Sequence, residues 1–165
     1  MNFEEYIKEN KGAFVSKVKQ ICDILNIEED WLMFVMYFES AKSFRANKVN
    51  PVSGATGLIQ FMPSTARALG TTTSELAKMT NVQQLDYVYQ YLKPYRLKMN
   101  SWIDVYLAVF YPKAMNQGDG YTIKPDIVAK QNAIFDLNKD LDITVAEIKT
   151  ALRKNIPDKY KSYYK

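Results

Sequence analysis

The sequence of 165 residues contains no histidine and a single cysteine, Cys22. The absence of histidine excludes Ser-His-Asp and Cys-His catalysis and histidine-ligated zinc within this chain. One cysteine forms no intrachain disulfide and no thiolate metal cluster, and Cys22 lies on the apolar stripe of a predicted helix, as a small core residue would. No glycine-rich phosphate-binding loop is present either. The remaining catalytic groups favour proton transfer by Asp or Glu, as in glycosidic bond cleavage.

The chain also lacks the marks of a membrane or exported protein. No stretch of about 18 apolar residues could form a transmembrane helix. The first ten residues show neither the basic nor the apolar region of a signal peptide, so we expect synthesis in the cytoplasm and another delivery route for any external substrate. The formal net charge of +4 favours approach to an anionic polymer without selecting one. Lysines are scattered and no arginine-rich stripe exists, so we expect no nucleic-acid partner.

Apolar residues recur at helical spacing along most of the chain. Hydrophobic residues make up 47% of the sequence, which predicts a folded core. The helical pattern runs through residues 14–25, 31–40, 63–69, 81–92 and 102–109. Asn81 with Gln84 resembles a capping box at the start of the fourth helix. Residues 44–61 lack this period and predict an irregular loop or a small hairpin.

Residues 31–38 are almost entirely apolar, and Glu39 closes the run. In a helix, Leu32, Val35, Met36 and Glu39 share one stripe, and a helix that is apolar on most sides is a buried central helix. Desolvation at such a position is expected to raise the pKa of Glu39, which suits a proton donor working near neutral pH. The alternative is a glutamate that ends a helix and reaches into water.

The loop that follows Glu39 has the composition of a sugar-binding segment. Gly57 allows a sharp turn or a close approach of the backbone to a ligand. Gln60 supplies an amide that both donates and accepts hydrogen bonds, as sugar hydroxyls and N-acetyl groups require. Phe61 and Met62 offer an apolar floor for a sugar face. The alternative is a loop that is fastened to the N-terminus of the next helix.

Together, these two segments resemble the lysozyme-like lytic transglycosylases of the soluble (SLT) type, relatives of goose-type lysozyme. Their first motif is a Glu-Ser pair at the end of a buried helix, matched here by Glu39 and Ser40. Their second is a Gly-Leu-x-Gln run inside the string N-P-x-S-x-A-x-G-L-x-Q-x-M-P-x-T-A. The matching residues are Asn50, Pro51, Ser53, Ala55, Gly57, Leu58, Gln60, Met62, Pro63, Thr65 and Ala66. The resemblance covers residues 31–112 and implies a lysozyme-like catalytic core, which we place at residues 26–112.

The resemblance implies an enzyme that degrades peptidoglycan and requires no cofactor. Glu39 would protonate the β-1,4 glycosidic oxygen between N-acetylmuramic acid and N-acetylglucosamine. It would then take a proton from the muramic 6-hydroxyl, which closes a 1,6-anhydro ring, whereas attack by water would make the enzyme a lysozyme. Ser40 would hydrogen-bond near the acid. The other implied substrate contacts of this region are Ser53, Gly57, Gln60, Phe61 and Met62.

A third family motif, Ala-Tyr-Asn, is altered in this chain. Phe110 and Tyr111 stand where Tyr-Asn is expected. We expect both as substrate contacts, with Tyr111 acting through its hydroxyl, and the alternative is that they are core aromatics. The difference bears on the subsites and on the choice between ring closure and hydrolysis, but not on Glu39.

Residues 136–147 fit the twelve-residue calcium loop of an EF-hand. The expected ligands are Asp136, Asn138, Asp140, Asp142 through its backbone carbonyl, and Glu147. Helices on both sides, the first including Ile127, would complete an EF-hand-like pair over residues 124–155. Leu141 occupies position 6, where glycine normally provides a positive φ, so a structural Ca²⁺ and a metal-free loop both remain open. We expect residues 159–165 to be a frayed helix end.

These observations predict one mainly α, lysozyme-like domain over residues 1–165, with a small irregular or hairpin loop and a C-terminal EF-hand-like helix pair. It would act as a monomer on peptidoglycan glycan strands. Delivery to the cell wall would be by phage lysis, in a virion or through a secretion system. The alternatives are a non-catalytic glycan-binding or structural virion protein that keeps the fold, and an EF-hand interaction module.

Overall fold

The computed structural model of the protein describes residues 1–123 and 126–165, without the side chains of Asp126 and Ile127. The α-helices of the described chain are α1 Lys11–Leu25, α2 Glu29–Glu39, α3 Pro63–Ala68, α4 Thr73–Lys78, α5 Asn81–Leu92, α6 Trp102–Phe110, α7 Asp126–Gln131 and α8 Val145–Lys154. Short 3₁₀ helices lie at Glu4–Tyr6, Lys93–Tyr95, Pro112–Ala114 and Asp158–Tyr163. The strands β1 Thr122–Ile123 and β2 Ile143–Thr144 form an antiparallel pair. The prediction of a mainly helical protein is confirmed.

The chain divides into two compact units, Met1–Met99 and Asn100–Lys165. The first contains both segments of the expected catalytic site, and the second contains the altered third motif and the EF-hand-like loop. The prediction of a single domain stays a prediction. Residues 124 and 125, where the predicted EF-hand-like span begins, and the side chain of Ile127 lie outside the described residues. No helix in the described ranges is long and apolar enough to cross a membrane.

Helix α2 is the centre of the first unit. Every residue from Leu32 to Tyr37 is buried, as its almost unbroken apolar sequence predicts. Helix α1 packs against α2 and α5 and contributes Cys22 to the buried stripe. Burial raises the pKa of the Cys22 thiol well above its usual range, so this cysteine is an unreactive core residue. Because each large apolar side chain contributes roughly 1.5–3 kcal/mol when buried, the position of α2 is strongly determined.

The start of α5 differs from the prediction by one residue. Thr80 is the N-cap: its Oγ1 accepts the Gln83 N–H (3.1 Å), and the Gln83 Oε1 accepts the Thr80 N–H (2.9 Å). The predicted pair of Asn81 and Gln84 is therefore wrong as a capping box. Both side chains are buried, and Asn81 donates instead to the Glu9 carbonyl (2.9 Å). Both Thr80 with Gln83 and Asn81 with Gln84 have the spacing of a capping box. The bonds of Asn81 and Gln84 to distant residues leave the first pair to cap the helix.

The C-terminal segment is packed in the second unit, and the expectation of a frayed end is wrong. Residues Asp158–Tyr163 form a 3₁₀ helix, and the Tyr164 side chain is fully buried. Its ring meets Trp102 edge-on, with centroids 5.9 Å apart. The Trp102 indole N–H also donates to the Lys165 carbonyl (3.3 Å). An aromatic pair therefore holds the last residues to α6.

Candidate active site

Glu39 is the last residue of α2 and is partly buried. The chain turns sharply after it. The Lys42 N–H donates to the Tyr37 carbonyl (2.7 Å). The Ala41 N–H donates to the Phe38 carbonyl (3.1 Å), which completes a Schellman motif. Ala41 and Lys42 have φ values of 50° and 67°, a region that is costly for residues with a side chain, so the surrounding hydrogen bonds must offset this cost.

Ser40 lies inside this turn. Its side chain is fully buried, and its Oγ accepts the Phe44 N–H (2.9 Å). The Ser40 carbonyl accepts the Ser43 hydroxyl (2.7 Å). The serine of the Glu-Ser pair therefore holds the chain that leaves Glu39 in place. Its expected hydrogen bonding near the acid stays a prediction.

Residues 57–61, which we call the glycine–glutamine turn, lie against Lys48. Lys48 belongs to residues 40–48, the segment that leaves Glu39. Gly57 and Gln60 both have positive φ, 88° and 54°. The Lys48 carbonyl accepts the Gly57 N–H (2.7 Å) and the Gln60 Nε2 (3.0 Å). Nε2 also donates to the Gly57 carbonyl (3.1 Å). The Gln60 amide nitrogen thus braces the turn, and the role of Gln60 as a substrate contact stays a prediction.

The other expected contacts of this region differ in exposure. Phe61 is only 2% exposed and packs edge-on against Tyr91, with centroids 6.3 Å apart, so it supports the turn from inside. Its ring does not form the apolar floor that the sequence suggested. Met62 is 46% exposed, as an apolar contact surface must be. Ser53 is exposed as well, and its Oγ accepts the Ala55 N–H (3.2 Å).

Tyr91 on α5 packs against the glycine–glutamine turn and lies within electrostatic range of Glu39. Its ring contacts Phe61 and Tyr95, the latter at a centroid distance of 6.1 Å. Burial raises the pKa of Tyr91 to about 12, and the neighbouring Tyr95 and Glu39 add to the rise. The phenol is therefore neutral at neutral pH and lies within electrostatic range of Glu39. Sequence reasoning missed Tyr91 because an aromatic residue on a helix is most often part of a core.

Phe110 and Tyr111 lie in the second unit, at the end of α6. The Phe110 ring stacks on Tyr106, with centroids 5.9 Å apart, and meets Phe135 edge-on at 5.2 Å. The Tyr111 N–H donates to the Leu107 carbonyl (2.8 Å). Phe110 thus belongs to an aromatic cluster of this unit. The roles of both residues as substrate contacts stay predictions.

Residues 136–147, which we call the calcium-type loop, contain two residues with side chains at positive φ, and their assignment as an EF-hand loop stays a prediction. Lys139 and Leu141 have φ values of 62° and 69°, so Leu141 takes the conformation that glycine normally provides at position 6. The Asp136 carboxylate accepts the N–H groups of Asp140 (3.2 Å) and Leu141 (3.1 Å). The Asn138 Oδ1 also accepts the Asp140 N–H (3.0 Å). These bonds hold the chain at Leu141 in a left-handed conformation.

The oxygen donors of the calcium-type loop suit a hard cation such as Ca²⁺. The Glu147 Oε2 accepts the Thr144 N–H (2.9 Å) and hydroxyl (2.8 Å) in the capping box of α8. The Glu147 Oε1 is buried without a hydrogen-bond partner among the described atoms. In residues 1–123 and 126–165, no three His, Cys, Asp or Glu side chains are arranged to hold a metal ion. The donor chemistry fits calcium, but the carboxylates would have to break some of their present hydrogen bonds before they could bind the ion.

The first unit thus defines a class of protein: a helical protein with one carboxyl group at the end of a buried helix, beside a glycine-containing turn. Residues 18–129, more than half of the chain, match the family model of the Transglycosylase SLT domain, so the chain belongs to this family. It is a lytic transglycosylase-type enzyme, and the family implies a lysozyme-like fold and peptidoglycan as the substrate. The resemblance drawn from the sequence motifs is confirmed. No curated protein and no solved structure is significantly similar to the chain.

Proposed function

We propose that Glu39 is the general acid and then the general base in cleavage of the β-1,4 bond between N-acetylmuramic acid and N-acetylglucosamine. Protonated Glu39 donates its proton to the glycosidic oxygen, the bond from C1 to that oxygen breaks, and oxocarbenium-like charge develops at C1. Ionised Glu39 then accepts the proton of the muramic 6-hydroxyl. The 6-oxygen bonds to C1, which closes the 1,6-anhydro ring and returns Glu39 to its protonated form.

The observation that carries this proposal is the pairing of the segment after Glu39 with the glycine–glutamine turn. One carbonyl, that of Lys48, accepts hydrogen bonds from both Gly57 and Gln60. The chain that follows the partly buried Glu39 is thereby tied to a turn whose backbone a glycan can approach. The C-terminal end of a helix carries partial negative charge, which favours a neutral acid over a carboxylate at this place.

The test is Glu39→Gln, which keeps the shape of the side chain and removes the acid. We expect the rate of wall cleavage to fall by about 10²–10⁴, because general acid–base catalysis contributes an effect of this size. Turbidity of purified cell walls measures the rate, and circular dichroism checks that the variant folds. Glu28→Gln, at the exposed N-cap of α2, is the control and should cleave like the wild type. Equal lysis by Glu39→Gln and the wild type would remove Glu39 from the mechanism.

The products distinguish ring closure from hydrolysis. Mass spectrometry of the released muropeptides should show 1,6-anhydro ends. Reducing ends would instead make the enzyme a muramidase, with water taking the place of the 6-hydroxyl. Wall binding by the wild type without any released fragment would favour the non-catalytic glycan-binding or structural virion protein.

We further propose that the enzyme is a phage or effector lysin, which another component brings to the wall. Expression of the chain inside a bacterial host tests this assignment. We expect lysis only after the inner membrane has been permeabilised. Lysis without permeabilisation would contradict dependence on a separate delivery component.

We also propose that the calcium-type loop binds a structural Ca²⁺. The support is the oxygen donor set, the positive φ of Leu141 and the unpartnered Glu147 Oε1. At a calcium concentration about 100 times the Kd, the gain is about 2.7 kcal/mol. This corresponds to a rise in melting temperature of roughly 5–10 °C for a chain of this size. Melts in Ca²⁺, in Mg²⁺ and in chelator test the proposal, and an unchanged midpoint in Ca²⁺ would contradict it.

A further inference from the structure

We infer that Gln84 is a positioning residue for the reaction. It holds the segment that leaves Glu39 at a set distance from the glycine–glutamine turn. The inference rests on the proposed role of Glu39 and deepens it, because it names the group that holds the two halves of the site together.

The Gln84 side chain joins three segments of the first unit from a fully buried position on α5. Its Oε1 accepts the Leu58 N–H of the turn (2.7 Å). Its Nε2 donates to the Ala46 carbonyl (3.0 Å), on the segment after Glu39, and to the Leu76 carbonyl (2.9 Å), on α4. Both amide protons donate hydrogen bonds and the oxygen accepts one. No other orientation of the amide would satisfy the same three partners.

Gly57 and Gln84 fit one another at this point. A Cβ built on Gly57 would lie 2.6 Å from the Gln84 Cδ, and closer still to Oε1, where no side chain can be accommodated. The lack of a side chain at Gly57 therefore lets the amide reach the next N–H along the turn. The glycine serves both its own positive φ and the approach of Gln84.

The same helix carries a second buried amide that serves as a matched control. Asn81 donates to the Glu9 carbonyl (2.9 Å) and accepts from the Asn10 side chain (3.1 Å), which ties α5 to the N-terminal segment. Both amides are buried and bridge distant parts of the first unit, but only Gln84 bonds the turn and the segment after Glu39. A purely structural role predicts similar effects from the loss of either amide.

Replacement by methionine keeps the length of Gln84 and removes its hydrogen bonds. The Leu58 N–H and the Ala46 and Leu76 carbonyls then lose a buried partner, and the turn can shift relative to Glu39. Because a displacement of about 1 Å can cost up to about 100-fold in rate, we expect kcat to fall about 10- to 100-fold. KM should change less than about threefold, since the surface of the turn is retained.

The conservative variant Gln84→Glu adds a pH readout. When protonated, the new carboxyl group keeps an acceptor for Leu58 and one donor for a carbonyl. When ionised, it has no donor and places a negative charge against the Ala46 and Leu76 carbonyls. We therefore expect the kcat of this variant to approach that of the wild type at low pH and to fall more steeply as the pH rises.

The experiment measures kcat, KM and the unfolding midpoint for the wild type, Gln84→Met, Gln84→Glu, Asn81→Leu and Glu39→Gln, on purified peptidoglycan and below every midpoint. The inference is supported if Asn81→Leu loses stability but keeps kcat within about twofold, while Gln84→Met loses kcat as stated. It is overturned if Gln84→Met keeps kcat, or if Gln84→Glu shows the pH profile of the wild type. Undiminished cleavage by Glu39→Gln is a separate result and overturns the proposed function instead.

Discussion

The glycine–glutamine turn and the calcium-type loop reach a similar backbone conformation by different means. Each holds a residue with a side chain at positive φ, Gln60 at 54° and Leu141 at 69°. The turn is held from outside, by an α5 side chain 26 residues further along the chain. The first half of the loop is held from within, because Asp136 and Asn138 accept N–H groups that lie two to five residues ahead of them.

The two arrangements should respond to different changes. The geometry of the turn depends on how the first unit is packed, so a change of volume should disturb it. The geometry of the loop depends on its own carboxylate and amide groups, so a change of charge or of a bound cation should disturb it.

The largest effect is expected for Gly57→Ala. The new methyl group would meet the buried Gln84 amide at a position with a φ of 88°. Overpacking and backbone strain together should cost about 3 kcal/mol or more in the free energy of unfolding. Denaturant unfolding measures the loss. Gly70→Ala is the control, because φ is 78° and nothing lies within 4 Å of a Cβ there, so only about 1 kcal/mol should be lost. Equal losses at the two positions would show that packing does not hold the turn.

Asp136→Ala should have the next largest effect and tests the loop. The change removes a carboxylate that accepts two backbone N–H groups, so stability should fall by about 2 kcal/mol. Measurement in chelator excludes any contribution from a bound cation. Asp158→Ala, which removes an exposed pair with Lys161, should leave the midpoint unchanged. An unchanged midpoint for Asp136→Ala would mean that the loop does not depend on its own carboxylate.

Leu141→Gly should stabilise the loop modestly. Glycine adopts a positive φ without the steric cost that leucine incurs, so a gain of about 1 kcal/mol is expected, less the entropy that glycine adds to the unfolded chain. Thermal melts in chelator measure the change. Leu137→Gly, at a loop position without positive φ, should instead destabilise the protein. Destabilisation by both changes would show that the side chain of Leu141 contributes more than its backbone strain costs.

The smallest effect concerns Tyr91 and alkaline pH. In the folded protein its pKa is raised to about 12, whereas a tyrosine in the unfolded chain ionises near about 10. The contribution of Tyr91 to stability is therefore fully present below about pH 10 and is lost as the pH rises towards about 12. Tyr91→Phe should lose less stability than the wild type across this window. Urea unfolding at several alkaline pH values measures the difference, and identical slopes would contradict it.

The spacing of neighbouring residues in the sequence was sufficient to predict most of the helices and to identify the motif residues. The apolar stripe of residues 31–38 predicted a buried helix that ends near Glu39, and α2 ends there. Pro63 at the start of the predicted helix and Gly70 just past its end indicate α3 in the same way. Helical period and capping are properties of neighbouring residues, so one sequence contains them. The N-cap of α5 was predicted one residue too late, because the Asn81 side chain donates to the Glu9 carbonyl, 72 residues away in the sequence, instead of capping the helix.

The sequence by itself determined the helices, the acid at the end of α2 and the family to which the chain belongs, because these follow from residues that are close together in the chain. Only the tertiary structure decided that Gln84 bonds the turn, that Phe61 is buried and that Tyr91 lies within electrostatic range of Glu39. These contacts join segments that are far apart in the sequence. Which buried amide or aromatic ring contacts which distant group depends on how the helices pack. The spacing of residues in the sequence does not determine that packing.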